Sequence, residues 1–110
     1  MNQDIIYDVY LMPGMAANPK IFEFIKLPKN FKTHHLEWQM PYKNELMSEY
    51  ALRISRLIKG NNIVLIGVSF GGIIVQEISK IIRCKKVIII SSVKSNKELP
   101  LMMQIGKKTK

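Results

Sequence analysis

Four short apolar runs punctuate the chain: Ile5 to Met12, Thr33 to Trp38, Ile63 to Gly67 and Lys86 to Ser91. The third and fourth contain Ile63-Val64-Leu65-Ile66 and Val87-Ile88-Ile89-Ile90, unbroken and rich in β-branched residues. Runs of this kind mark strands covered on both faces, as in a parallel sheet. The second run, with His34, His35 and Glu37, is the most polar and reads as a strand near a sheet edge.

Between the runs the apolar positions recur at helical spacing. Asn18-Pro19 offers an N-cap followed by proline at the first helical position, predicting a short helix through Phe22 and Phe24 that stops before Leu27-Pro28. From Asn44 to Lys59, Leu46, Met47, Tyr50, Ala51, Ile54, Leu57 and Ile58 fall three and four apart, with Gly60-Asn61 as the stop. From about Phe70 to Arg83, Ile74, Ile78, Ile81 and Ile82 share a face, and a weaker helix is predicted from Asn96 to Ile105. Strands thus alternate with helices. That order predicts an α/β architecture of three layers, a mostly parallel sheet with right-handed crossovers and helices on both faces. Chemistry in such sheets gathers at the carboxyl ends of the strands.

The length, 110 residues, fits a single domain, with residues 106–110 as a basic C-terminal tail. An apolar fraction of 47% with 23% charged residues is a globular composition. The one cysteine, Cys84, excludes an internal disulfide framework and a cysteine-rich zinc cluster; Lys85 and Lys86 beside it could lower its pKa, but a structural or merely tolerated thiol is the favoured reading. The start, Met1-Asn2-Gln3-Asp4, lacks the basic n-region and apolar stretch of a secretory signal. The longest apolar stretch, Ile63 to Val75, is shorter than the about 20 residues of a membrane span. These features predict a soluble, cytoplasmic protein.

The net charge of +9 is concentrated in residues 80–110, which hold nine basic side chains against one acid, Glu98. Aromatic residues that could stack on bases are absent after Phe70. The basic segment therefore reads as a solvated lysine-rich surface, and no specific nucleic-acid partner is expected.

One motif carries chemistry. The third run leads into Gly67-Val68-Ser69-Phe70-Gly71-Gly72, followed by a helical pattern. This is G-x-S-x-G between a strand and a helix, a turn that pushes the serine hydroxyl out at the top of a sheet. The strained turn demands small neighbours, which Gly67, Gly71 and Gly72 supply. The backbone N–H of Phe70 is one candidate oxyanion donor. The loop after the first strand, Met12-Pro13-Gly14-Met15-Ala16-Ala17, offers the second, the N–H of Met15 or, one residue on, that of Ala16. The glycines fit neither a dinucleotide fingerprint nor a Walker loop, and adjacent His34 and His35 face opposite sides of a strand. No cofactor and no metal is expected.

At these residues, from Val9 to about Pro100, the chain resembles the α/β-hydrolase family. Leu11-Met12-Pro13-Gly14-Met15 resembles that family's oxyanion loop. Ile63 to Gly72 resembles its nucleophile strand and elbow, and Lys86 to Ser92 the strand that follows. The resemblance implies the spatial strand order second, first, third, fourth. It also implies acyl transfer to water through an ester of Ser69, with a small-molecule ester or acyl compound as substrate. The family's triad runs Ser, then Asp or Glu, then His. After Ser69 this sequence contains Glu77 and Glu98 but no histidine. The chain therefore resembles the N-terminal half of such an esterase, weakly active or inactive without the acid and base of the other half. The alternative is a non-enzymatic remnant that binds a partner chain or an acyl-like ligand. In either case the very apolar fourth strand would be an exposed edge, a place for self-association.

Overall fold

A computed structural model describes residues 4–14, 22–23 and 25–90. In chain order they form β1 (Tyr7–Met12), β2 (Phe31–His35), α1 (Met47–Ser55), β3 (Ile63–Val68), α2 (Phe70–Ser79) and β4 (Lys86–Ile90). The four strands make one parallel sheet in the order β2-β1-β3-β4. This is an α/β arrangement, and the strand order is the one the resemblance implies.

Burial follows position in the sheet. All six residues of the inner strand β3 are buried, because apolar layers cover both of its faces. The edge strand β2 is exposed or half-buried throughout and carries Lys32, Thr33 and His35 outward. Among the described residues β4 forms the other edge, with Val87 and Ile89 buried and Ile88 and Ile90 half-buried.

Right-handed crossovers decide which face each connection covers. Both α1 and α2 carry the chain in one direction across the sheet, so both pack on the same face. There Tyr50, Ala51 and Ile54 meet Ile74, Val75 and Ile78 over Tyr10, Met12, Leu65, Val87 and Ile89. The β1–β2 connection runs the other way and belongs on the opposite face. Phe22 is buried there against Val9, Leu11, Val64, Ile66 and Val68. The expectation of helices on both faces is met only in part: both helices among the described residues lie on one face, and only a 3₁₀ turn at Phe22–Glu23 is seen on the other. Most of the helix predicted through Phe24, the helix from Asn96 and the tail 106–110 lie outside the described residues.

Both helices are shorter than the apolar periodicity predicts, for a common reason. After Ser55 the N–H groups of Leu57 and Ile58 donate three residues back, to Ile54 and Ser55, at 3.0 and 3.1 Å. After Ser79 the N–H of Ile81 does the same to Ile78 at 2.9 Å. The last turn tightens, and Leu57 and Ile81 turn into solvent. At its start α1 is trimmed because Glu45 is engaged elsewhere. Its carboxylate accepts from the N–H of Tyr42 at 3.0 Å and from Arg53 Nε and Nη2 at 2.7 and 2.8 Å. Glu49 then caps the helix by accepting from the N–H of Leu46 at 2.8 Å.

Hydrogen bonding to Arg53 holds the Glu45 carboxyl below the usual carboxylate range. A depressed folded-state pKa adds stability above the unfolded value and loses it as pH falls through the folded one. Urea midpoints of wild type and Glu45→Gln are therefore expected to differ at pH 7 and to converge in acid, once the pH has fallen below the depressed pKa of the folded state.

Candidate active site

The chain moves outward from β1 to β2, then returns across β1 to build β3 and β4. This reversal makes the carboxyl ends of β1 and β3 the topological switch point, the place where ligands bind in open α/β sheets. The loop beginning Pro13-Gly14 leaves β1 there, and Ser69 leaves β3 there.

Ser69 is exposed and has φ 57° and ψ −124°, a left-handed backbone that side-chain-bearing residues rarely adopt. Its N–H donates to the carbonyl of Ile90 at 2.6 Å, tying the turn to the end of β4. Its carbonyl accepts from the N–H of Gly72 at 2.9 Å, starting the helix. The strain is held by close backbone contact. A Cβ on Gly67 would strike the carbonyl of Gly71 and lie 2.7 Å from the Cα of Gly72. A Cβ on Gly71 would strike the carbonyl oxygen of Met12 and lie 2.5 Å from that of Pro13. A Cβ on Gly72 would lie 2.5 Å from Cγ2 of Ile89. Each glycine of the motif thus has its own steric reason, and Gly71 brings the loop after β1 against the start of α2.

Phe70 is the first residue of α2, so its N–H has no acceptor within the helix and sits at the positive end of the helix dipole. That places one donor beside the serine. Met15 and Ala16, the candidates for the second, lie outside the described residues. The segment leading to them is anchored: Trp38 Nε1 donates to the carbonyl of Pro13 at 2.8 Å. The Trp38 ring is 5.6 Å from that of Phe70 and 5.7 Å from that of Tyr50.

Both histidines and Glu77 lie away from the serine. His34 pairs with Tyr10, and Tyr10 with Leu65, four residues before Ser69. That puts His34 about 10 Å across and about 13 Å along the sheet from the serine. It is occupied there: Nε2 is 2.9 Å from Asp8 Oδ1, and its ring stacks on Tyr10 at 4.5 Å. His35 faces the opposite side, 5.9 Å from Phe22. Glu77, seven residues past Phe70 on α2, binds Lys80 at 2.6 Å. Glu98, Ser91 and Ser92 lie outside the described residues, among which no group of three or more His, Cys, Asp or Glu could hold a metal.

Cys84 behaves as a structural thiol rather than an activated one. The neighbouring lysines do not lower its pKa; burial pushes the thiol up to about 11. Desolvation of a thiolate outweighs charges on lysines whose ends reach water. Native Cys84 is expected to react with iodoacetamide at pH 8 about 100-fold more slowly than in urea, in line with its thiolate fraction. Equal rates in a stopped alkylation assay would contradict this.

Two clusters escaped the sequence reading, the Asp8–His34 pair and the Glu45–Arg53 pair with its two tyrosines. Arg53 lies 3.9 Å from the centre of the Tyr42 ring and 5.1 Å from that of Tyr50. The Glu45–Arg53 pair spans eight residues and a change of element, a spacing that no single helix or strand period reveals.

Among the described residues no helix is long and apolar enough to cross a membrane. No family model, curated protein or solved structure matches this chain.

Proposed function

We propose that Ser69 is the nucleophile of an esterase-type serine hydrolase of the α/β-hydrolase kind. The observation that carries this is the left-handed Ser69, exposed at the carboxyl end of a central parallel strand and enforced by Gly67, Gly71 and Gly72. A backbone that costs of order 1–3 kcal/mol persists where the fold over-determines it, and such sites cluster at active centres. Ser69 Oγ attacks the ester carbonyl carbon, and the N–H of Phe70, with that of Met15, takes the charge on the carbonyl oxygen. The carbon–oxygen ester bond then breaks, and the alcohol leaves with the serine proton. Water cleaves the acyl-serine in the second step. The strand register keeps His34 and His35 away from Ser69, so the base that moves these protons is a group other than these two. In the same proposal the sheet face bearing Val64, Ile66 and Ile88 carries the second layer of helices.

Hydrolysis of short-chain p-nitrophenyl esters tests this. Oxyanion donors and a positioned hydroxyl sustain a rate above background even when triad members are missing. The expected result is slow p-nitrophenolate release that Ser69→Ala reduces to the level of unfolded protein.

The distance of both histidines also favours a second reading, a non-catalytic remnant that pairs with another chain along the β4 edge. That reading predicts identical rates for wild type and Ser69→Ala.

A further inference from the structure

Beside the elbow lies a cavity of about 170 Å³, walled by Trp38, Leu46, Met47, Tyr50, Phe70 and Ile74. All of these residues come from the carboxyl-end side of the sheet: the loop after β2, the start of α1 and the first turns of α2. Phe70 is the residue next to Ser69, and Trp38 is hydrogen-bonded to the loop after β1. A larger hollow of about 270 Å³ opens between Phe31, Val64, Lys86 and Ile88, at the amino-terminal half of the strands and away from the serine.

The polar atoms of this wall are already engaged. Trp38 Nε1 donates to the Pro13 carbonyl. The Tyr50 hydroxyl donates to the Gln39 carbonyl and accepts from its N–H, both at 2.8 Å. The one charged side chain in the wall, Glu45, has both oxygens on Arg53 and one also on the N–H of Tyr42. What remains for a ligand is aromatic and aliphatic surface. A carboxylate group would give up hydration there and gain no partner. In size the cavity is close to the about 150 Å³ that holds a benzene molecule.

We propose that this cavity is the specificity pocket for Ser69 and takes an uncharged apolar group of about benzene size carried by the ester. The inference rests on the reading of Ser69 as a nucleophile for its catalytic meaning, but the pocket's selectivity is measurable without it. Trp38 is the only tryptophan of the chain, so its emission reports the wall directly.

Toluene and benzoate are titrated against wild type, Met47→Phe and Leu46→Phe, the last two enlarging side chains of the cavity wall. Saturable change of Trp38 emission with toluene, at least tenfold weaker with benzoate and at least tenfold weaker in either filled variant, is the expected result. Absence of saturation with toluene, or equal affinity for benzoate, overturns the pocket. Fluorophosphonates then link it to the serine. Phosphonylation forms the Ser69 Oγ–P bond, breaks P–F, and releases fluoride with the serine proton. Faster labelling with phenyl than with methyl on phosphorus assigns the pocket to the acyl side, and faster labelling with phenoxy than with methoxy assigns it to the alcohol side. Equal rates for all four overturn the specificity role. Saturable toluene binding with no labelling by any reagent overturns the role of Ser69, and with it the catalytic meaning, while the ligand pocket stands.

Discussion

Gly67→Ala is expected to destabilise the protein by about 3 kcal/mol, near the upper end of ordinary overpacking. The added methyl meets the carbonyl group of Gly71 and the Cα of Gly72, all backbone of the first turn of α2. No rotamer change moves them. Relief requires α2 to slide away from β3, and Ile74, Val75 and Ile78 of that helix are all buried in the core. Gly71→Ala meets the carbonyls of Met12 and Pro13 and should behave alike. Gly72→Ala is the control. Its methyl meets a side-chain atom, Cγ2 of Ile89, which Ile89→Leu removes at roughly constant volume. Urea unfolding should therefore show a smaller loss for Gly72→Ala, partly recovered in the double variant, with no comparable rescue for Gly67→Ala. Equal, mild losses at all three positions would mean that the elbow is not held as tightly as described.

Ser69→Gly is expected to stabilise the protein by about 1–2 kcal/mol while abolishing every reaction assigned to the serine. At φ 57° and ψ −124° a Cβ is strained and glycine is not. Ser69→Ala separates the two effects, since it keeps the Cβ and the strain but removes the hydroxyl. Its unfolding midpoint should stay near that of wild type. A serine retained only for packing would give the opposite order, with Ser69→Gly the less stable. A gain in stability on removing a side chain is the signature of a residue kept for function.

The strands and the elbow were legible because local rules write them. β3 and β4 are β-branched runs, and a strand buried on both faces can be little else. Gly67, Ser69 and Gly71 sit at spacings set by the sterics of one tight turn. The ends of α1 and α2 were not legible: Leu57 and Ile81 continue the apolar period beyond the point where the last turn tightens. The apolar pattern sets β2 about two residues later than the observed Phe31–His35. The pattern weighs Leu36 and Trp38 as strand residues, whereas pairing with β1 ends at His35 and Trp38 turns away to bind Pro13. The pocket was beyond reach of the sequence. Trp38, Tyr50 and Phe70 meet only after the chain has crossed the sheet twice. The absence of a histidine after Ser69, by contrast, is read from the sequence at once, and the strand register adds why His34 and His35 do not replace it.

The central claim is that Ser69 is a nucleophile, and reaction with a small alkyl fluorophosphonate tests it most directly. Folded protein is incubated with the reagent, and the adduct is weighed intact and mapped by peptide mass spectrometry, with Ser69→Ala alongside. A single adduct on the peptide containing Ser69, absent from Ser69→Ala and from urea-unfolded protein, is the predicted result. Folded protein that stays unmodified, or that is modified equally in Ser69→Ala, would contradict the account and leave the elbow as a structural turn.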